Sequence, residues 1–432
     1  LDFAEVFADR GGFDVVIANP PYIRQERLTA EKSLLKAASP DVYSGMADIY
    51  VYFYRQGFAL TQPKGILVFI SSNKFFRAGY GKNLRAYLRD QTTLKTVVDF
   101  GDLPIFEATT YPCILVAANQ QPRDGAKLRA LNVHSMTTLE RLADAALRDA
   151  WDQPQASLHR DAWALMRPVK IKLLGKLRDS SPLKEYRGVD FYRGVTTGLN
   201  KAFVVDLQTR SRLIAEDCRS ADIIKPWIRG RDVKRWKTEC SGLFLIFPRR
   251  GIRIRQYRAV LDHLNKFRKR LTPGASGGRK PGKYRWYEIQ DTTAYYEEFE
   301  RPKLVWPDIA KDCEFTLDRT GAYPDATLFI IPGEDLFLLG ILNSIVTKWF
   351  IENTSSSIQQ GYLRFKRVYV EQLPIPQATA GQRSAIESIV RKLLETEGQG
   401  PQVAEWEREL NALVYDLYDL TEEEIAIVEG RG

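Results

Sequence analysis

A mostly apolar run that ends in two consecutive prolines, Phe13-Asp14-Val15-Val16-Ile17-Ala18-Asn19-Pro20-Pro21-Tyr22, constrains this chain more than any other stretch. Residues 13–18 carry three β-branched side chains and read as a buried strand. Asn19 and Pro20 each precede a proline, so both are held extended. Neither proline has an N–H, so the turn presents carbonyl acceptors on a stiff backbone. The Asn19 side-chain oxygen and the Pro20 carbonyl can then hold both hydrogens of a planar –NH2 group. Tyr22 can lie flat against the ring that carries the group.

Such a grip answers a chemical difficulty. The lone pair of an aromatic amine is delocalised into its ring and attacks poorly. Hydrogen bonds that draw both N–H groups out of plane favour a tetrahedral nitrogen with its lone pair free, which is preorganised electrostatic stabilisation combined with orientation. A methyl group could then be accepted in line, with no general base needed beforehand. On a strand end, Asn-Pro-Pro-Tyr resembles the catalytic motif of amino methyltransferases, chiefly the N6-adenine DNA methyltransferases.

Composition bounds the remainder. The 432 residues suggest two or three domains, and 44% hydrophobic with 27% charged residues is an ordinary globular balance. Cys113, Cys218, Cys240 and Cys313 lie far apart and match neither a disulfide framework nor a zinc spacing. With three scattered histidines, no metal site is expected. No apolar stretch reaches membrane-spanning length and no signal peptide is evident, which makes the cytoplasm the expected location. The chain opens at Leu1, directly before the Asn-Pro-Pro-Tyr strand, as a fragment would.

Along the chain, Asp48-Ile49-Tyr50 opens a helix expected to bury Ile49, Phe53 and Leu60. A second buried strand follows at 66–70, then the loop 71–81 at its C-terminal end, where ligands sit in open α/β sheets. Strands at 96–100 and 113–116 are expected to pair as an antiparallel edge. The fold class expected is α/β: a partial doubly wound, Rossmann-like sheet, then a mixed α/β domain and C-terminal helices. The divisions expected are 1–120, a helical connector 121–185, a second domain 186–376, and helices 377–432.

The resemblance extends through Asp48-Ile49-Tyr50, Ser-Asn-Lys-Phe…Gly-Tyr-Gly at 72–81, and Val98-Asp99-Phe100-Gly101-Asp102…Phe106-Glu107. These are similar to successive later motifs of the same methyltransferases, and most similar to the modification part of single-chain type IIG restriction–modification enzymes with a TaqI-like specificity domain. The resemblance implies catalysis by Asn19, Pro20, Pro21 and Tyr22 on an adenine flipped out of double-stranded DNA. It implies a second aromatic on the base's other face, for which Tyr80 is the first candidate and Phe75 the second. It implies S-adenosylmethionine as cofactor, with Asp48 and Tyr50 near it. The family's cofactor strand and glycine-rich loop precede the Asn-Pro-Pro-Tyr strand, and no Gly-x-Gly-x-x-Gly occurs here. The chain by itself is therefore expected to bind S-adenosylmethionine weakly or not at all, and to depend on an N-terminal remainder that could include a nuclease domain.

From Phe191-Tyr192-Arg193-Gly194 onward, and at Lys303-Leu304-Val305-Trp306, the chain resembles that family's target-recognition domain, with Gln372-Leu373-Pro374-Ile375-Pro376 at its exit. Within it, residues 225–285 hold 19 Lys or Arg against three acidic residues, interleaved with tryptophans and tyrosines. That asymmetry is best explained by phosphate neutralisation. The DNA contacts expected are Arg229, Arg231, Lys234, Arg235, Arg249, Arg250, Arg253 and Arg255, with Lys280 and Lys283 on a mobile basic loop at 273–283. Beyond residue 376 the sign reverses, five basic against twelve acidic residues, and apolar stripes at helical spacing indicate helices that pack on the protein. Two other readings fit the same residues: a DNA-specificity module without catalysis, and a methyltransferase acting on protein glutamine or tRNA.

Overall fold

In the computed structural model, the Asn-Pro-Pro-Tyr strand is β1 (Phe13–Ala18), running parallel to β2 (Thr61–Ser72). All residues are described except 1–2, 102, 107–110, 134, 187, 240, 292–293, 356, 359–360 and 432. Asp102 and Glu107 of the segment 98–107 therefore lie outside the described residues. The chain divides into two compact units, Leu1–Lys176 and Leu177–Gly432.

The first unit is built on one six-stranded sheet. Helix α1 (Tyr50–Leu60) joins β1 to β2, and α2 (Lys82–Gln91) leads into β3 (Thr93–Asp99). After β4 (Pro112–Ala118) come β5 (Lys127–Asn132) and β6 (Trp151–Pro154), and the spatial order is β1-β2-β4-β3-β5-β6. The antiparallel pairing of β3 with β4 occurs, but β4 is inserted between β2 and β3 and is not an edge. Its sequence says why: Cys113, Leu115 and Ala117 are fully buried, as an interior strand requires. The stretch expected to be a helical connector supplies β5 and β6 to this sheet, because Leu128 and Ala130 bury while Lys127 and Arg129 between and beside them stay exposed.

Helix α1 buries a different face from the one expected. Tyr50, Tyr54 and Phe58, four residues apart, point into the core with Val51, while Phe53 remains 38% exposed. Large aromatics win this choice, since burying a ring removes more apolar area than burying a smaller side chain. Leu84 and Leu88 of α2 are buried as the periodicity predicts.

The second unit contains two four-stranded sheets. One has the order Tyr323–Pro324, Ile224–Ile228, Leu243–Ile246, Val204–Asp206; the other is Thr316–Asp318, Lys303–Pro307, Leu328–Pro332, Tyr192–Arg193. The C-terminal helices α3 (Ala380–Glu395), α4 (Val403–Leu417) and α5 (Glu422–Val428) pack within this unit through Ile386, Ile389, Val390, Leu393, Leu410 and Val414. Gly340 permits the closest approach: a Cβ there would stand 2.7 Å from Ile386. Thr421 and Glu424 form a reciprocal capping box at the start of α5. No helix among the described residues is long and apolar enough to cross a membrane.

Candidate functional site

Because β1, β2 and β3 run parallel, their C-terminal ends lie along one side of the sheet, and the loops that follow them gather there. Asn19 is exposed at the end of β1, Pro20 is buried, and Tyr22 is half-buried. The segment after Tyr22 is tied back to the start of α1: Ile49 N–H donates to Ile23 O at 3.0 Å, and Gln25 N–H donates to Asp48 Oδ1 at 3.1 Å. After β2, Asn73 donates from Nδ2 to Asp99 Oδ1 at 2.6 Å, which joins the ends of β2 and β3. Arg85 of α2, 1% exposed, holds the loop after β2 by donating to Ala78 O at 2.9 Å and to Phe75 O.

Aromatic rings fill this end of the sheet. Tyr22 lies 6.5 Å from Tyr50 and 6.1 Å from Phe106, centroid to centroid. Burial pushes the Tyr22 phenol up to about 12, so it stays protonated at neutral pH. Its hydroxyl is buried and has no hydrogen-bond partner among the described residues. A buried donor left unpaired is costly and marks a place where a partner is missing.

Of the two aromatics expected to face Tyr22 across a base, Phe75 is excluded by the structure. It is 0% exposed, wedged among Tyr50, Tyr54, Phe76 and Trp163. Tyr80 is half-buried, with its hydroxyl 2.9 Å from that of Tyr50. Phe106, which sequence reasoning passed over, is the ring that the loop after β3 brings against Tyr22. Its signal was present in the Phe100…Phe106 spacing, but the strand-end loop after β2 offered a nearer aromatic.

Asp48 and Tyr50, expected near S-adenosylmethionine, are both hydrogen-bonded within the protein. Tyr50 is fully buried with its hydroxyl on Tyr80, and Asp48 already accepts the Gln25 N–H. Burial, the larger effect, raises the Asp48 pKa above the ordinary carboxylate value. No cluster of three His, Cys, Asp or Glu side chains able to hold a metal occurs among the described residues.

The basic segment of the second unit sorts into two populations. Arg229 makes a two-pronged pair with Asp232, at 2.8 and 2.7 Å, and Lys234 lies 3.7 Å from Glu314. Arg235 reaches Asp312 at 2.7 Å and Glu407 at 3.3 Å. These three expected DNA contacts are internal ion pairs. Arg231, Arg249, Arg250, Arg253, Arg255, Lys280 and Lys283 are exposed. The loop 273–283, expected to be mobile, is pinned at Arg279. That side chain is 4% exposed and donates to the carbonyls of Leu271, Thr197, Glu288, Arg285 and Trp286. Nothing in the sequence separates Arg279 from its solvent-facing neighbours, because all five acceptors are main-chain atoms.

Two protein families match these two regions. The Eco57I restriction-modification methylase family matches residues 1–106, and the TaqI-like C-terminal specificity domain matches residues 225–375. The chain is thus similar to N6-adenine DNA methyltransferases of restriction–modification systems in its first part and to their specificity domains in its second. The matched regions resemble the modification and specificity portions of restriction–modification enzymes. Type II methyltransferase M.PaeR7I of Pseudomonas aeruginosa is 26% identical over 98% of this chain and 73% of its own length. Type II methyltransferase M.XhoI of Xanthomonas vasicola is 25% identical over 96% of this chain and 76% of its own. Among solved structures, the type IIL restriction-modification enzyme MmeI in complex with DNA aligns with a TM-score of 0.66 at 14% identity, over 96% of this chain. The chain spans 56% of that MmeI chain, a likeness of fold.

Proposed function

We propose that the Asn19–Tyr22 turn receives the exocyclic amine of an adenine extruded from duplex DNA, and that the second unit selects which adenine. The observation that carries this reading is the turn itself: an exposed Asn19 and a buried, unpartnered Tyr22 hydroxyl at the C-terminal end of β1, beside the loops after β2 and β3. Asn19 Oδ1 and the Pro20 carbonyl accept the two N–H groups, which frees the nitrogen lone pair. Tyr22 supports one face of the base and excludes water from it.

The methyl donor is bound elsewhere. β1 ends the sheet on one side, and its outward face carries Val15 and Ile17, 50% and 74% exposed. An exposed apolar strand at a sheet edge is a surface that folded proteins cover. In this reading the cofactor-binding half of the methyltransferase docks there. The test is nucleoside mass spectrometry of duplex DNA after incubation with S-adenosylmethionine. The full-length protein is expected to form N6-methyladenine at one sequence, and residues 1–432 alone are expected to form none. Methylated cytosine in its place would overturn the substrate, and methylation by the chain alone would overturn the division of labour.

The second face of the base falls to Phe106, since Phe75 is sealed in the core and the Tyr80 hydroxyl is engaged by Tyr50. Base–aromatic stacking is worth about 1–3 kcal/mol by truncation. With 2-aminopurine at the target position, the full-length enzyme is expected to raise fluorescence on binding. Phe106→Ala should diminish that rise and slow turnover roughly tenfold or more. If Tyr80→Ala has this effect and Phe106→Ala does not, Tyr80 is the clamp.

A further inference from the structure

Resting on the reading of the second unit as the DNA-selecting part, we infer that Arg249 is the residue that reads a guanine in the recognised sequence. Arg253 and Arg255 hold the flanking phosphates. The strand Leu243–Ile246 leaves its sheet into Phe247-Pro248-Arg249-Arg250-Gly251-Ile252-Arg253, which borders a cavity of about 510 Å³. Its wall is a fixed aromatic cluster: Phe247 packs 4.9 Å from Tyr323 and 5.9 Å from Tyr296.

The Arg249 guanidinium lies 5.0 Å from the centre of the Tyr296 ring and donates one N–H to the Tyr296 hydroxyl. That arrangement holds the flat group in place while leaving its other donors open. Among the described residues no carboxylate pairs with Arg249, Arg250 or Arg253. Of the two acidic residues lining the cavity, Asp222 and Glu300, Glu300 is already engaged, taking Lys225 at 2.8 Å and the Tyr323 hydroxyl at 2.9 Å. Arg229 and Arg235 show the alternative fate of arginines in this segment, satisfied internally by Asp232, Asp312 and Glu407.

The backbone that carries Arg249 is equally fixed. Pro248 O accepts Ile289 N–H at 3.0 Å, and Gly251 N–H, at φ +81°, donates to Glu288 Oε1 at 3.0 Å. Arg250 is committed to Gln290 O at 2.9 Å. Phosphate contact tolerates a mobile cation, whereas reading a base edge requires a guanidinium held in one orientation, offering two parallel donors to guanine O6 and N7. Arg249 has that fixed placement. Arg253 and Arg255 are exposed, and no partner holds either side chain among the described residues, so they suit the phosphate role.

The experiment selects bound duplexes from a randomised pool with the full-length protein and its variants, and adds a salt titration on the recovered site. Arg249→Ala and Arg249→Lys are both expected to lose discrimination at one G·C pair, by roughly tenfold to a hundredfold, with the other positions retained. Lysine keeps the charge but not the paired donors, so it preserves a phosphate contact and fails at a base edge. Tyr296→Phe keeps the ring and is expected to weaken preference at the same pair. If Arg249→Lys restores preference, or if Arg249→Ala weakens all sequences alike and lowers the salt slope by about one, Arg249 is a phosphate contact and the inference is overturned. An unchanged preference overturns it as well. Should the unaltered protein select no sequence at all, it is the recognition role of the second unit that fails, a different outcome from any of these.

Discussion

Alanine in place of Asn19 in the full-length enzyme is expected to lower the rate of adenine methylation by about 10²–10³, with duplex affinity unchanged. Asn19 sits exposed just past β1, and its side chain makes no hydrogen bond among the described residues. Truncating it therefore removes nothing from the fold. In the proposed reading it removes one of the two acceptors for the amine, and the second, the Pro20 carbonyl, is not expected to pyramidalise the nitrogen alone. The loss falls on the reacting nitrogen, so it should appear in single-turnover rate rather than in binding. Asn19→Asp keeps an acceptor at the same reach and is expected to retain more activity than Asn19→Ala. Rapid-quench assays with a fixed duplex give the rate, and anisotropy gives the affinity. Near-normal methylation by Asn19→Ala would remove the turn from the chemistry, whatever the fold suggests.

The strands were legible because their signals are local. Residues 13–18 form a strand at the expected limits, and the runs at 66–70 and 113–116 lie inside longer strands. Strand order was not, since the insertion of β4 between β2 and β3 depends on pairings between segments about 20 and 45 residues apart. The same limit separates the basic residues. Arg231 and Arg235 look alike in sequence, yet Arg235 is neutralised by Asp312 and Glu407, the latter 172 positions away on an acidic helix. The acidic charge at the C-terminal end thus does part of its work inside the fold. For the aromatics, sequence spacing showed which rings were near the strand ends but not which were exposed. Phe75 and Phe106 are distinguished only by how many neighbours surround them, a property of the packed state.

Lys303 belongs to this second kind of information, and it carries the largest stability effect expected in the chain. In sequence it is one cation in a domain rich in them. In the structure it stands directly across from Asp318 on the neighbouring antiparallel strand, and both side chains are 0% exposed. Its ammonium donates to Asp318 Oδ2 and to Phe299 O, the latter at 2.6 Å, while Asp318 Oδ1 takes the Thr320 N–H and hydroxyl at 3.0 and 2.6 Å. Burial pulls the Lys303 ammonium below its ordinary pKa, against the attraction of Asp318. The charged pair is thus held at a desolvation cost that its own attraction only partly offsets. Removing one member strands the other: Asp318→Ala or Lys303→Met is expected to destabilise the second unit by about 3–5 kcal/mol. Removing both with apolar residues, Lys303→Met with Asp318→Leu, leaves no buried charge and is expected to cost less than either single change. Urea unfolding of the whole chain, followed through tryptophan emission with Trp306 in the same strand as Lys303, reads the transition of this unit. A double variant less stable than either single would show that the pair contributes more attraction than its desolvation removes, contrary to this expectation.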